Sequence, residues 1–528
     1  MSESIARTER GFAALVTLAF SVLVAAGLAS HELWKDETEP WSVALEAPSL
    51  AATLTQTPTQ FHPKLWLLVL HVTSRVTRSP AAMQALHGAI ATAAVWVFAA
   101  HAPFGRAARL LFAFGYFPLF EYGVLSRNYS LGVLLLFCLC ARLRAPGAPL
   151  WMLAGLTALM ANTNAQMLAG AMVLAAAGAW QAIPGARQAA PATRAGMAVA
   201  LATVGLAALF AWKALEPPAG SVWDAGWNLR FSPGLLALTA TRFWNAFVPV
   251  PDMSAEIWWG TNFLTVESPS LDLLSARFVD TVPLVSENLV PLLGAGLIFT
   301  LAALCLADRP LCLAGWTLAC AALLGMTYLK YFGCLRHHGH LFVFFLAALW
   351  LRDVVPAAAP FWGLLEVRQG DLARLRAGFL TSLLAVHAAV GLWALGKDLR
   401  EPFSPSLESS RWIASRAPAG APIFAHQDHW CQSAAACLDR PFFSPQERKF
   451  IRFPSASGRV SPRTFVLEQA ASDFARAQAG PSVLLLNRPL RFQPPGLKLL
   501  DAAAFEKSQM PYERHWVYLV EPMEGSRP

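Results

Sequence analysis

The chain has 528 residues; hydrophobic types make up 55 % and charged types only 14 %, and the mean hydropathy is +0.44. A water-soluble protein carries nearer a quarter charged residues, so this composition excludes a disordered chain, a collagen-like fibre and a disulfide-stapled miniprotein, and it argues against an ordinary soluble enzyme. The 41 Lys and Arg exceed the 33 Asp and Glu by eight, an excess that retention of basic residues in cytoplasmic loops explains, and no nucleic-acid partner is inferred from it.

The first apolar run, residues 12–30, follows Arg7 and Arg10 and has about the 20 residues a bilayer core requires. It is long for a signal peptide and many further runs follow, so it is read as a retained helix leaving the cytoplasm. After it come the polar motif His31-Glu-Leu-Trp-Lys-Asp-Glu-Thr-Glu39 and a helical pattern from Trp41 to Leu54. Residues 61–79 have a leucine-rich half followed by His71, Arg75 and Arg78, a pattern for a helix lying at the membrane interface rather than crossing it.

Apolar runs recur at 81–101, 108–122, 130–141, 150–161, 166–183, 195–215, 288–306, 311–328, 339–351 and 377–395, which with the first makes about eleven spans. With a cytoplasmic amino terminus, the inner loops carry Arg106 and Arg109, Arg142 and Arg144, Arg187 and Arg194, Arg309, and then Arg352, Arg368, Arg374 and Arg376, as the positive-inside rule expects. The outer connections are then 31–80, a turn at Arg127, the Asn162-Thr163-Asn164 turn, 216–287, 330–338 and everything after residue 397. The last piece is polar and turn-rich; 421–425, 482–486 and 516–520 read as strands and 464–479 as a helix. The expected fold class is a polytopic α-helical membrane protein (1–397) with a small C-terminal α/β soluble domain (398–528) on the outer, periplasmic side of a bacterial-type plasma membrane.

No internal repeat, Gly-rich phosphate loop or zinc-spaced Cys/His set is present, so nothing indicates a nucleotide-driven pump, and any energy must arrive with a substrate. Of eight cysteines, only Cys431 and Cys437 lie in the polar tail, and they form the candidate disulfide. Four polar clusters meet the outer face under the proposed topology: Asp36 and Glu37; His62, Pro63 and Lys64; Arg127 and Tyr129 in the turn that follows Glu121; and Lys330, Arg336, His337, His338 and His340. Acids at a helix start and a Pro-Lys entry each have plain capping explanations. An arginine in an outer turn and cations opening a span oppose the usual preferences, and an anion among them would remove the conflict. Carboxylates able to take a proton therefore face cations able to hold a phosphate. A metal at the histidines is not favoured, because the three do not share one helical face.

These clusters, in this order and on one side, resemble the membrane glycosyltransferases of the GT-C superfamily, in the branch of protein O-mannosyltransferases and aminoarabinose transferases. The matching residues are Asp36-Glu37, His62-Pro63, Arg127-Asn128-Tyr129 and Arg336-His337-His338, densest in the first 140 residues. Lys64 stands where relatives have a second proline, and no acid precedes Arg127 by two residues. The resemblance implies a GT-C-like fold and inverting transfer of a sugar, hexosyl or pentosyl, from a polyprenyl-phosphate carrier to a hydroxyl or amine of an unidentified lipid, glycan or protein acceptor. It casts Asp36 as base, with Glu37 second or orienting it. His62, Lys64, Arg127, Tyr129, Lys330, Arg336, His337 and His338 would bind donor phosphate or sugar, and no cofactor is required. A transporter or flippase for a polar lipid is the alternative; it would show a repeat between halves and interrupted helices at mid-membrane.

Overall fold

A computed structural model describes residues 3–55, 62–186, 190–217, 226–266, 285–357, 369–455 and 466–523; Arg187, Arg368 and part of the 216–287 connection lie outside these. The chain opens with α1 (Glu3–Ser30), α2 (Lys35–Glu46), α3 (Leu50–Thr55), α4 (Leu65–Val76), α5 (Ala81–His101) and α6 (Arg106–Ala113), followed by a π-helical turn, Tyr116–Glu121. The bundle continues through α7 (Tyr129–Arg144), α8 (Leu150–Ala161), α9 (Ala165–Ala186), α10 (Pro191–Ala214), α11 (Pro233–Phe247), α12 (Leu289–Leu306), α13 (Pro310–Leu329), α14 (Leu335–Leu351) and α15 (Gln369–Asp398). Among the described residues, α1, α5, α9, α10, α12, α13 and α15 are long and apolar enough to cross a bilayer. The runs at 130–141, 150–161 and 339–351 fall on the shorter apolar helices α7, α8 and α14.

The run 108–122, expected as one span, is broken into α6 and the π-turn. Pro118 supplies no N–H to continue an α-helical ladder, and α15 presses on the break: a Cβ at Gly391 would collide with the Phe114 carbonyl. The expected interfacial helix is α4, whose buried Trp66, Leu67 and Leu70 face α2 and α5 through Trp41, Ala44 and Met83. The Leu65 amide donates to Asn162 O at 3.0 Å, which joins the start of α4 to the α8–α9 turn.

The tail forms a six-stranded sheet of order β3-β2-β1-β4-β6-β5, with β1 (Ile423–His426), β2 (Phe442–Ser444), β3 (Lys449–Ile451), β4 (Ser482–Leu486), β5 (Leu497–Phe505) and β6 (His515–Pro522). β1 runs parallel to β2 and β4, and the other pairings are antiparallel. Alternation splits the central strands between two cores. Ile423, Ala425, Val483 and Leu485 pack against α16 (Ser406–Arg416) and α17 (Asp428–Cys437), while Phe424, Leu484 and Leu486 pack against α18 (Leu467–Arg476). The candidate disulfide is corrected here. Cys431 and Cys437 are free thiols on α17; six helical residues separate them by about 9 Å along the axis, beyond the reach of a disulfide.

The sheet domain sits on the bundle where the first outer segment begins. Ser406 Oγ donates to Leu33 O at 2.6 Å, and the Leu407 amide to Glu32 Oε2 at 3.1 Å. A surface network of Arg78, Asp439, Arg452 and Glu46 joins the ends of α4 and α2 to the tail.

Candidate active site

α1 leaves its apolar segment at Ser30, and after four connecting residues α2 begins with Asp36 and Glu37 in its first turn, where unpaired amides favour acids. Successive helical side chains diverge by about 100°, and these two reach different surroundings. Glu37 turns inward and is fully buried. Its Oε2 lies 2.9 Å from His31 Nε2, and its Oε1 accepts from the Ser126 amide at 2.5 Å. On the far side of the His31 ring, Nδ1 lies 3.1 Å from Asp398 Oδ2, at the end of α15. Burial opposes charge on that ring, but Asp398 and then Glu37 outweigh it and raise its pKa to about 10. An imidazolium thus joins α1, α2 and α15. Glu37, expected as a second candidate base or as the orienting neighbour of Asp36, has both oxygens occupied by protein donors.

Asp36 faces the opening. Its Oδ2 accepts from Arg336 Nη2 at 2.5 Å, its Oδ1 lies 3.7 Å from Lys35 Nζ, and Arg127 donates to its backbone carbonyl. Burial pushes its pKa up, yet Arg336, Lys35 and Arg127 together hold it well below the usual carboxylate range. Arg336 is the second residue of α14, where the helix dipole disfavours a cation. Two aromatic faces and one acid keep it there: its guanidinium carbon lies 5.2 Å from the Trp34 ring centre and 5.3 Å from that of Trp259. The Tyr122 hydroxyl holds the Arg336 backbone carbonyl at 2.7 Å.

Arg336 Nε and Nη1 and Arg127 Nε are buried and have no acceptor among the described residues. Buried donors are nearly always paired, and three such nitrogens on two guanidinium groups beside one another's acid define a place for an anion with several acceptor oxygens.

His62 is half-buried within the fields of Arg127, Asp36, Arg336 and Lys64; desolvation first, and the Arg127 charge second, lower its pKa to about 3, so the ring is neutral. Lys64, at the amino-terminal cap of α4, is lowered to about 8 by burial. Tyr129 and His337 meet directly: the His337 Nδ1 accepts from the Cys334 amide at 2.9 Å, and its Nε2 lies 3.0 Å from the Tyr129 hydroxyl. The structure therefore brings together Asp36, His62, Lys64, Arg127, Arg336 and, behind them, Tyr129 and His337.

Two expected ligands stand elsewhere. His338 turns one helical step away and donates from Nε2 to Phe332 O at 2.9 Å, on the Arg242 side of α14. Lys330, at the end of α13, reaches back to Gly226 O at 3.3 Å and to the Trp227 ring. Among the described residues no group of three His, Cys, Asp or Glu is placed to hold a metal ion.

The sequence reading did not single out Trp34, Trp259, Asp398 or Glu513 as part of this site. Trp259 is fixed by its indole N–H, which donates to Glu121 Oε2 at 3.0 Å beside the Tyr116 hydroxyl at 2.8 Å. Its placement ties the 226–266 segment to the arginine. Only the density of tryptophan in that segment, Trp227, Trp244, Trp258 and Trp259, hinted at a function.

No family model and no curated protein matches the chain. Two solved structures are similar to the chain. ArnT from Cupriavidus metallidurans in the apo state is 12 % identical over 96 % of this chain and 97 % of its own, with a TM-score of 0.37. ArnT from Cupriavidus metallidurans bound to undecaprenyl phosphate is 13 % identical over 96 % and 98 %, with a TM-score of 0.38. At that similarity no residue role transfers from one chain to the other.

Proposed function

We propose that this protein is an inverting glycosyltransferase that moves a sugar from a polyprenyl-phosphate donor to a hydroxyl or amine acceptor at the outer face of the membrane. The observation that carries this reading is a single carboxylate, Asp36, opposed by Arg127 and Arg336, of which Arg127 Nε and Arg336 Nε and Nη1 are buried without an acceptor among the described residues. The site lies at the start of α14 and the end of α1, where apolar helices reach the polar segment. A lipid-anchored phosphate arrives at such a level with its chain still in the bilayer.

In the resting site Arg336 holds Asp36 and suppresses its basicity. A donor phosphate entering among Arg127, Arg336 and Lys64 draws the guanidinium onto its own oxygens and relaxes that grip. Asp36 then accepts the acceptor proton as the acceptor atom attacks the anomeric carbon from the side opposite the phosphate. The bond between the anomeric carbon and the phosphate oxygen breaks, its electron pair stays on that oxygen, and the arginines stabilise the charge that develops there. The sugar is already activated by its phosphate, so the scheme calls for no nucleotide.

Purified protein incubated with labelled polyprenyl-phosphate sugars, hexose and pentose, and candidate acceptors tests the proposal. Label transfer with release of free polyprenyl phosphate is expected for at least one donor, and it should vanish in Asp36→Asn. Transfer at an unchanged rate in that variant would remove Asp36 as the base.

A further inference from the structure

We propose that Glu513, in the sheet domain, is a positioning residue of the Asp36 site: its carboxylate caps the first turn of α2 across 478 residues of chain and so sets where Asp36 stands against Arg336. The inference deepens, and rests on, the transferase reading above.

The first turn of α2 has little capping from its own segment: the N-cap residue, Trp34, has no side-chain oxygen, and the local contact is Glu37 Oε2 reaching back to the Trp34 amide at 3.4 Å. The Lys35 amide, which the helix cannot satisfy, instead donates to Glu513 Oε1 at 2.8 Å. The other oxygen, Oε2, accepts from Ser404 Oγ at 2.9 Å and from Ser433 Oγ at 3.0 Å. Glu513 is fully buried and is thereby held from the linker after α15 and from α17 together. The side chain of residue 35 is fixed from the same domain: Lys35 Nζ lies 4.1 Å over the Trp430 ring of α17 and 3.7 Å from Asp36 Oδ1. Both the backbone and the charge that precede Asp36 therefore take their position from the tail. A carboxylate at a helix amino terminus also suits the dipole.

Chemistry requires placement of the reacting groups to within a fraction of an ångström, and a shift of about 1 Å costs up to roughly 100-fold. The test uses the full-length protein in phospholipid nanodiscs, with Glu513→Ala, Glu513→Gln and, as a control, Val483→Ala, which loosens the sheet core without touching Lys35. In Glu513→Ala we expect kcat to fall about tenfold or more, with undecaprenyl phosphate binding within about twofold of wild type and faster amide exchange across residues 34–41. Glu513→Gln should retain kcat within about threefold, because its amide oxygen can still accept from Lys35 while its NH2 donates to the serine hydroxyls. Val483→Ala should lose stability but keep kcat.

Wild-type kcat in Glu513→Ala, or an equal loss in Val483→Ala, overturns the inference in favour of a merely structural role. Should Glu513→Ala fail to fold, Trp430→Ala, which withdraws the ring beneath the Lys35 ammonium together with its stacking on Tyr512, is expected to lower kcat about threefold with the same exchange signature; unchanged values there overturn it. If the wild-type protein transfers no sugar, the transferase reading fails, and exchange across 34–41 still decides whether Glu513 caps the turn: faster exchange supports it and unchanged exchange refutes it.

Discussion

α14 carries an arginine bound to an aspartate at each end, and the two ends behave differently. At its start Arg336 meets Asp36; just past its finish Arg352 meets Asp308, about 24 Å away along the helix. At the finish, Asp308 also pairs with Arg376 at 3.1 Å, and Asp353 serves Arg352 at 3.2 Å and Arg144 at 3.4 Å. Acids there are shared among arginines of the loops expected from the sequence to face the cytoplasm. At the start, one exposed-side acid faces Arg127, Arg336 and Lys35, with Lys64 nearby, and the flanking groups are tryptophan, tyrosine and histidine. The same pair of residue types belongs to a shared salt-bridge network at one end and, on the proposed reading, to an anion-binding site at the other. What separates them is the charge balance: two acids among three arginines at the finish, and one acid among two arginines and a lysine at the start.

Substitutions at the two ends break the comparison in order of effect. Asp36→Asn is expected to lower kcat about 1,000-fold, within the range for a lost general base, with undecaprenyl phosphate binding retained; single-turnover assays on labelled donor measure it. Arg336→Ala should remove about 3 to 4 kcal/mol of barrier stabilisation, as for a lost oxyanion donor. Asp308→Asn at the opposite end should leave kcat within about twofold and act on thermal stability alone.

The pH dependence sharpens the same contrast. Lys64, lowered to about 8, is charged below that pH and neutral above it, so undecaprenyl phosphate binding should weaken as pH rises through 8, and Lys64→Arg should abolish the step in a binding titration. His31, raised from 6.5 to about 10, contributes stability that is fully present below about pH 6.5 and is lost as pH climbs through 10. The unfolding midpoint of the wild type should decline over that window, and in His31→Gln the slope should be lost. Trp259→Leu, which removes one face from Arg336, is expected to lower kcat about two- to fivefold in the same single-turnover assay.

Much of this architecture was legible in the chain because long apolar runs permit few alternatives. β4 and β6 were legible for a similar reason: Val483, Leu484 and Leu485, and Val517, Leu519 and Val520, are β-formers in compact runs. β2 and β3 are three residues each, and β5, with its alanines and exposed face, carries no strand signal. The break at Pro118 was hidden inside an apolar stretch of full span length. At the site, Asp36, Arg127 and Arg336 stood out because each sits where its charge is locally unfavourable or conspicuous. The difference between Asp36 and Glu37 could not be read from adjacent letters, since it depends on Ser126 and His31 closing over one of them. Lys330 and His338 were drawn in by proximity to Arg336, and a helix turn and a cap geometry directed them away.

The bond between the Lys35 amide and Glu513 has a consequence for how the molecule matures. A contact spanning nearly the whole chain closes late, since distant segments must both be ordered before they meet. The helices will have entered the bilayer, and Arg336 will have found its aromatic slot, while the turn that aims the acid is still loose. On the proposed reading, the arginines that would hold an anion are in place before the acid that works beside them is aimed.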